Sequence, residues 1–329
     1  MTPFGYGRYP NVFTALEFER LSNATGPTGG RILLRDGNGN FTRPPGSVAL
    51  LHCIGSRDVN YHEYCSRVCC MYALKYTHLI KEKVGHDTKV YDFYIDMRCF
   101  GKGYEEFYRR CQEEGTVFIR GKVAEITDQA LRPGEQGQLI AIAEDTLLGR
   151  RLRVPVDMVV LCTAIEARHD AGEVGRIFGV NQGADGFFLE EHPKLGPLNT
   201  ATDGVFLAGC CQKPMDIPDT VSQASGAAAK ALSLATLGKV EVPPTIAWID
   251  PDICIGCQIC IGLCALLAPS LFNRTAMGVS EGESGAVCKG CGSCAGFCPS
   301  DAARIRHFKS AQVFAEIDGI MDAIARVGR

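Results

Sequence analysis

Closely spaced cysteines near the C-terminus constrain this chain more than any other feature. Eight of its 17 cysteines lie between Cys254 and Cys298, in two runs that share the spacing C-x2-C-x2-C-x3-C. The runs consist of Cys254, Cys257, Cys260, Cys264, Cys288, Cys291, Cys294 and Cys298. A chain of 329 residues, 46% of them hydrophobic, has ample material for a core and needs no disulfide framework. The two runs therefore predict thiolates that bind metal in a small C-terminal module.

The repeated spacing is that of bacterial ferredoxins, in which it binds 4Fe-4S clusters. Glycines inside the runs, such as Gly256 and Gly290, let the backbone turn tightly around the sulfurs. In two-cluster proteins of this kind, the fourth cysteine of each run binds the other cluster. One cluster is therefore predicted on Cys254, Cys257, Cys260 and Cys298, and a second on Cys288, Cys291, Cys294 and Cys264. A pair of zinc sites is the alternative, although zinc ribbons use C-x2-C pairs rather than runs of this kind.

A third group of cysteines falls inside a strand-helix-strand pattern. Residues 47–54 are an apolar run typical of a buried parallel strand, residues 62–82 have helical periodicity, and residues 89–95 are typical of a second strand. In dinucleotide-binding proteins the first turn of such a unit carries G-x-G-x-x-G, which this chain lacks. The turn and the helix start instead carry Cys53, Cys65, Cys69 and Cys70.

These four thiols can converge on one site. Cys65 and Cys69 are four residues apart, so a helix over both would place them on one face, and Cys53 lies at the end of the preceding strand. The free N–H groups of a helix N-terminus favour an anionic iron-sulfur cluster beside them. Spacing alone leaves two alternatives open: the four are buried core thiols, or His52 or His62 replaces one of the ligands.

The composition excludes several classes of protein. Charged residues make up 22% of the chain and the net charge is −3, which gives no electrostatic argument for binding nucleic acid or an anionic membrane. No segment approaches the roughly 18 to 20 apolar residues of a membrane span, and the N-terminus has no signal-peptide pattern. We therefore expect a soluble protein of a reducing cytoplasm, where thiols persist as metal ligands.

Five strings of residues carry a resemblance to a known family. They are residues 10–20, 53–58, 64–71, 100–109 and 216–225, and they include C-I-G-S-R-D and Y-C-S-R-V-C-C-M. With them the chain resembles the heterodisulfide reductase A subunits, in particular their C-terminal half. The resemblance implies a thioredoxin-reductase-like flavoprotein with several 4Fe-4S clusters. It also favours a cluster on Cys53, Cys65, Cys69 and Cys70 over a core of plain thiols.

The expected fold is α/β, followed by a C-terminal α+β domain of the bacterial two-cluster (2×4Fe-4S) ferredoxin type. The α/β part is expected to contain thioredoxin-reductase-like, Rossmann-type domains that lack the N-terminal flavin-binding βαβ unit. We assign residues 1–46 to a remnant of the flavin domain and 47–160 to a Rossmann-like βαβ domain with the cysteine-rich turn. Residues 161–242 are assigned to the returning half of the flavin-binding domain and 243–329 to the ferredoxin-like domain. Pro243 and Pro244 mark this last boundary, and residues 311–327 are expected to form a closing helix.

The resemblance further implies half of an FAD site. Residues 202–209 would form a strand that ends in a glycine, and a helix over residues 219–235 would begin near the flavin ring. The candidate flavin-binding residues are Gly209, Cys210, Asp216, Ile217, Pro218, Thr220 and Lys75. The chain departs from the family pattern at Cys210, where disulfide-reductase flavoproteins usually have aspartate, and at Ala164, where glycine is usual after threonine. The alternative is that these segments are only core and that Lys75 is a solvated side chain.

The leading functional hypothesis is an electron-transfer subunit of an anaerobic oxidoreductase complex, with three 4Fe-4S clusters and an FAD. The resemblance implies redox partners similar to the heterodisulfide reductase B, C or D subunits or to a hydrogenase small iron-sulfur protein. A truncated subunit of this type also occurs in class II benzoyl-CoA reductase complexes. No substrate pocket of its own is expected. The alternatives are a self-contained flavin-dependent disulfide reductase, with Cys69–Cys70 or Cys210–Cys211 as its redox pair, and a zinc-held scaffold protein.

Overall fold

A computed structural model describes residues 2–238, 244–264, 273–274, 280–283 and 288–327. Pro243, at which the sequence places a domain boundary, lies outside these residues. The chain divides into two compact units, the first made of Met1–Glu166 with Pro214–Asp216 and the second of Ala167–Lys213 with Ile217–Arg329. The four-segment division of the chain stays a prediction.

The first unit alternates strands with helices in its N-terminal part and then continues mostly as strands. Its elements are β1 (Val12–Thr14), α1 (Ala15–Ser22), β2 (Ser47–Ile54), α2 (Cys69–Lys83), β3 (Lys89–Tyr94), α3 (Tyr104–Glu113), β4 (Val117–Arg120), β5 (Val123–Thr127), β6 (Leu139–Asp145), β7 (Arg150–Val156) and β8 (Met158–Thr163). Helix α1 begins with a capping box, in which the Thr14 hydroxyl accepts the Glu17 N–H and the Glu17 carboxylate accepts the Thr14 N–H.

Five strands form a parallel sheet in the order β1-β8-β2-β3-β4. All eight residues of β2 are buried, which is why its sequence is a continuous apolar run rather than an alternating one. The strands expected at residues 47–54 and 89–95 are confirmed as β2 and β3. The predicted α/β class, with a parallel sheet, is confirmed as well.

The parallel sheet is covered on both faces. Because successive side chains of a strand point to opposite faces, Val48 and Leu50 pack against α1 and α2, whereas Ala49 and Leu51 pack against the antiparallel sheet β5-β6-β7. The first unit is thus a three-layer structure of helices, parallel sheet and antiparallel sheet. Strand β2 lies in the middle of this stack, and its carboxyl end carries Cys53.

Phe18→Ala is expected to destabilise the first unit by about 3 to 5 kcal/mol, because it removes a fully buried ring from the core. The Phe18 ring packs edge-on against Tyr76 at a centroid distance of 4.9 Å. Leu16→Ala is the control, since Leu16 lies on the same helix with 79% of its surface exposed. Denaturant unfolding of the full chain measures both; equal midpoints for the two variants would contradict the assignment of Phe18 to the core.

Helix α2 begins later than the sequence predicts. A helix was expected over residues 62–82, but α2 runs from Cys69 to Lys83. Arg67 has a φ of 63°, in the left-handed region that a right-handed helix excludes. The preceding loop makes its hydrogen bonds elsewhere: Ser66 Oγ accepts the N–H of Ile165. Cys65 therefore precedes the helix, and the prediction that it shares a helix face with Cys69 is wrong.

The second unit contains the C-terminal cysteine runs. Its elements are α4 (Ala171–Phe178), α5 (Ile217–Leu237), β9 (Ala247–Ile249), α6 (Ile259–Leu263), β10 (Asn273–Arg274), β11 (Ser280–Glu283), α7 (Ser293–Gly296), β12 (Ala303–Ile305) and α8 (Ser310–Val327). Strands β10-β11-β9-β12 form an antiparallel sheet in that order, as an α+β module would have. The predicted closing helix is confirmed as α8, and the helix expected at 219–235 is confirmed as α5.

The prediction of a strand at residues 202–209 is wrong. The segment makes one isolated bridge, between Asn199 and Phe206, and then a short 3-10 turn over Gly209–Cys211. The Thr200 hydroxyl, just before the segment, donates to the Val205 carbonyl, so residues 200–205 form a local turn rather than part of a strand. None of the helices in the described part of the chain is both long and apolar enough to cross a membrane.

Candidate metal centres

The N-terminal cysteine group surrounds the carboxyl end of β2. Cys53 is the last residue but one of that strand and has a φ of 58°. Cys69 and Cys70 are the first two residues of α2, and all three are buried. Cys65, which is partly exposed, lies in the loop between them. The structure therefore brings a strand end, a loop and a helix start together at these four thiols.

The loop between Cys53 and Cys69 has a fixed course. The Arg57 N–H donates to the Tyr64 carbonyl at 3.0 Å, which closes the loop into a hairpin-like turn. The Tyr64 hydroxyl donates to the Ile165 carbonyl at 2.8 Å, which fastens the turn to the segment after β8. The Arg67 N–H donates to Cys65 Sγ at 3.3 Å. Cys65 is thus held in place although it is outside any helix.

Burial and the neighbouring thiols act together on the pKa of Cys69. Burial raises the pKa of Cys69 to about 12, and the thiolates of Cys53, Cys70 and Cys65 add to the rise. Burial also raises the pKa of Cys53, to which the charges of Cys70 and Cys65 contribute. Because the four groups repel one another when they are thiolates, a cationic centre bound by all four would stabilise their charged form.

A buried ion pair lies next to this cysteine group, because His52 directly precedes Cys53 in β2. His52 Nε2 lies 2.9 Å from Asp92 Oδ1, and both side chains are almost completely buried. Burial lowers the pKa of His52, but the charge of Asp92 and the neighbouring Cys70 raise it to about 10. Burial raises the pKa of Cys70, but the hydrogen bond and the positive charge of His52 lower it by more. The pKa of Cys70 is therefore below that of an ordinary thiol. His62, the other histidine considered as a ligand, lies 2.9 Å from Glu166 instead.

In the second unit the C-terminal thiols fall into two sets, each with one member from the other run. Burial raises the pKa of Cys260, and the thiolates that raise it further belong to Cys257, Cys254 and Cys298. Burial raises the pKa of Cys294 to about 11, and the thiolates that contribute belong to Cys288, Cys264 and Cys291. These neighbours agree with the two ligand sets that the ferredoxin spacing predicts, and the role of the cysteines as ligands stays a prediction.

Backbone N–H groups approach the sulfurs of these sets. Cys288 Sγ accepts the N–H groups of Ala247 at 3.2 Å and of Gly290 at 3.4 Å, and Cys298 Sγ accepts the N–H of Ala303 at 3.4 Å. Gly290 has a φ of 65°, and a Cβ there would lie 2.0 Å from the Thr245 carbonyl oxygen. Glycine is therefore required at this position for the backbone to approach both Cys288 and Thr245. Hydrogen bonds to thiolate sulfur stabilise the charged form that binds iron.

No group of three or more His, Cys, Asp or Glu side chains in the described residues is spaced to hold a single metal ion. The four cysteines of a 4Fe-4S cluster bind four different iron atoms rather than one. Their sulfurs accordingly surround a cluster at wider separations than the ligands of one ion. The role of the three thiol sets as cluster ligands stays a prediction.

The candidate flavin residues are divided between the two units. Gly209 and Thr220 are neighbours, because a Cβ on Gly209 would lie 2.9 Å from Thr220 Cγ2, and the Gly209 N–H donates to Gln223 on the same helix. Ile217 and Pro218 form the start of α5, where Ile217 is exposed, as is Cys210 on the preceding turn. Asp216 belongs to the first unit.

Lys75, the remaining candidate, also belongs to the first unit, where it lies on α2. Its Nζ contacts the carboxylate of Glu19 on α1 at 2.5 Å. The structure thus assigns Lys75 an ion pair between two helices, and its role towards a flavin or a cluster stays a prediction.

The chain is similar in sequence to several known proteins of methanogenic archaea. The chain is 48% identical to the A-type subunit of the H2:CoB-CoM heterodisulfide, ferredoxin reductase of Methanothermobacter marburgensis over 270 residues, which are 82% of this chain and 40% of the relative. It is 44% identical to the A-type iron-sulfur subunit of the CoB-CoM heterodisulfide reductase of Methanocaldococcus jannaschii over 97% of this chain and 48% of the relative. The corresponding H2/formate-linked subunit of Methanococcus maripaludis is 43% identical over 97% of this chain and 47% of the relative.

No protein-family model matches the chain. Among solved structures, a T. acidophilum thioredoxin reductase aligns with a TM-score of 0.37 and 15% identity over 58% of this chain and 53% of that one. The sequence relatives are identical to this chain at 43% to 48% of the aligned positions, and the alignments extend over most of it. The chain is therefore a homologue of the heterodisulfide reductase A subunits, and it spans 40% to 48% of their length.

Proposed function

We propose that the chain is an electron-transfer subunit of an oxidoreductase complex and that it holds three 4Fe-4S clusters. The observation that carries the proposal is a small cavity whose lining includes Cys254, Cys257, Cys260 and Cys298, which come from both C-terminal runs. The thiols that act on the pKa values of Cys69 and Cys294 support two further sets of four. Relatives at 44% and 48% identity are named as iron-sulfur and ferredoxin-linked subunits of heterodisulfide reductases. When bound, the clusters would supply sites that accept and release single electrons.

The chain's own residues suit such clusters in two ways. The first N–H groups of α2 have no partner within the helix, and they lie at Cys69 and Cys70, where an anionic cluster is stabilised by the helix dipole. In the second unit, N–H groups from β9 and β12 donate to Cys288 and Cys298, as is typical of thiolates that bind iron. The sets on Cys260 and Cys294 belong to a single antiparallel α+β module.

Partners follow from the same proposal. An electron carrier needs one protein that donates electrons and another that uses them, so we expect redox subunits similar to the B, C or D subunits of heterodisulfide reductase. A hydrogenase small iron-sulfur protein and the subunits of a class II benzoyl-CoA reductase are the other partners that this type of subunit suits. Anaerobic co-purification from cells identifies which of these the chain binds. A reducing cytoplasm is the proposed location, since free thiols and clusters persist there.

Analysis of iron, zinc and acid-labile sulfide in anaerobically purified protein tests the three clusters. About twelve iron atoms per chain, with a similar amount of sulfide, is the expected result. About eight iron atoms per chain would mean that no cluster binds to Cys53, Cys65, Cys69 and Cys70. Zinc without sulfide would contradict the redox function as a whole and would favour a zinc-held scaffold.

FAD is the second cofactor we propose. The turn at Gly209 and the start of α5 lie against each other, which places the family's flavin-binding positions on these two segments side by side. Denaturing the purified chain is expected to release FAD, which absorbance and fluorescence detect. Release of FAD only from preparations that contain a partner subunit would contradict binding by this chain alone.

A further inference from the structure

Arg57 is fixed inside the loop that joins Cys53 to Cys65. Only 20% of its side chain is exposed, and its Nη2 donates to Asp96 Oδ2 at 2.7 Å. The other carboxylate oxygen of Asp96 lies 3.4 Å from Nη2 of Arg120, whose Nε donates to the Ile95 carbonyl. The backbone of Arg57 has a φ of 54°, in the left-handed region, and its N–H is bound to Tyr64. The guanidinium group is therefore held in one place by its surroundings.

The second terminal nitrogen of Arg57 lacks an acceptor. Nη1 is buried and has no hydrogen-bond partner in the part of the chain that the structure describes, and the same is true of the neighbouring Ser56 hydroxyl. Buried donors are nearly always satisfied, because an unmet donor loses its hydrogen bonds to water without compensation. Two adjacent donors without acceptors, in a loop bounded by cysteines, indicate a missing anionic group that accepts hydrogen bonds.

The thiols lie within electrostatic reach of this arginine. Burial lowers the pKa of Arg57, but its hydrogen bond to Asp96 and the thiolates of Cys53 and Cys65 raise it, and the net shift is upward. The Cys70 thiol donates to the backbone carbonyl of Asp96 at 3.8 Å, and the Asp96 carboxylate binds Arg57, so a thiol of the group and the arginine contact the same residue. The positive charge of Arg57 and the negative charges of the thiol group thus stabilise each other.

We propose that Arg57 sets the reduction potential of the 4Fe-4S cluster on Cys53, Cys65, Cys69 and Cys70 by supplying a fixed positive charge and a hydrogen bond. The inference rests on the proposed function, because it requires a cluster on these four thiols. Reduction adds one electron and leaves the cluster and its thiolates one charge more negative. A nearby cation stabilises the more negative state more strongly, and therefore raises the potential. Arginine keeps its charge throughout the accessible pH range, so this contribution does not vary with pH.

Redox titration of the full chain, with dithionite as reductant and electron paramagnetic resonance as readout, tests the proposal. The signal of the relevant cluster is the one that disappears in Cys65→Ala. Arg57→Gln removes the charge and is expected to shift the ratio of oxidised to reduced cluster about tenfold at a fixed potential, which lowers the midpoint by about 59 mV. Arg57→Lys keeps the charge and is expected to remain much closer to the wild type.

Arg120→Gln is the matched control, since it removes an equal charge that binds the same Asp96 carboxylate from the other oxygen. It is expected to move the midpoint far less than Arg57→Gln does. Arg57→Gln could also lose the cluster altogether. If Arg57→Lys then kept the cluster at the wild-type midpoint, the result would support the same role for the positive charge. An unchanged midpoint in Arg57→Gln, an equal shift in Arg57→Lys, or loss of the cluster in both would overturn the proposal. An iron content that Cys65→Ala leaves unchanged would instead refute the third cluster itself, and with it this role of Arg57.

Discussion

The Cys65→Ala chain is expected to contain about a third less iron than the wild type, because one of three four-iron clusters loses a ligand. Cys65 is the most exposed of its four thiols, yet a hydrogen bond from the Arg67 N–H and the fastening of the loop by Tyr64 hold it beside Cys53 and Cys69. Iron and sulfide analysis gives the loss directly. Electron paramagnetic resonance should still show the signals of the two C-terminal clusters, since Cys65 and those clusters belong to different compact units.

Cys111→Ala is the control for this prediction. The Cys111 thiol is also in the first unit and is completely buried, but it donates to the Leu74 carbonyl on α2 and belongs to none of the three thiol sets. The control chain is therefore expected to keep its full iron content. An equal loss of iron in both variants would mean that the first unit had lost its structure, and an unchanged content in Cys65→Ala would show that Cys65 is not a ligand.

Regular features of the fold could be predicted from the sequence because they depend on local patterns. The apolar run at residues 47–54 indicated a strand covered on both faces, and β2 is buried along its whole length. The periodicity of residues 311–327 indicated α8. The spacing of the cysteine runs indicated the two C-terminal sets, because ferredoxin modules impose that spacing through their tight turns.

Long-range hydrogen bonds account for what could not be predicted. Helical periodicity extended back to residue 62, but the bond from the Ile165 N–H to Ser66 joins residues 99 positions apart and draws the loop away from the helix. Residues 202–209 have the apolar content of a strand, yet the hydroxyl of Thr200, just before the segment, donates to the Val205 carbonyl and holds a local turn. Interactions of this kind leave no periodic signal.

The side chains that support the N-terminal thiols were missed for a related reason. Asp92 occupies a strand position that looks apolar in pattern, and only the fold places it 2.9 Å from His52. Arg57 belongs to the C-I-G-S-R-D string, in which no spacing distinguishes it from a solvated arginine. Cysteine spacing thus proposes the C-terminal ligands and the family resemblance the N-terminal ones, whereas the charges that would tune a cluster depend on the assembled loop.

The exchange of fourth ligands in the second unit leads to the other large effect, a selective loss of one C-terminal cluster. Cys298→Ala is expected to remove the cluster on Cys254, Cys257 and Cys260, although Cys298 lies in the other run. The physical reason is that Cys298 lines the same small cavity as Cys254, Cys257 and Cys260, so its removal would leave the proposed cluster with three ligands. Cys264 is instead among the thiols that act on the pKa of Cys294. Iron content should fall by about a third, as the remaining two clusters keep all their ligands.

Cys264→Ala is the complementary variant and is expected to remove the cluster on Cys288, Cys291 and Cys294. The two variants therefore lose similar amounts of iron but leave different clusters, which electron paramagnetic resonance and redox titration distinguish by line shape and midpoint. Cys210→Ala is the control, since Cys210 is exposed and belongs to none of the predicted ligand sets. If Cys298→Ala and Cys264→Ala left the same spectrum, the exchange would be wrong. Each run would then have to close its own cluster, with a different path of the chain between the two runs.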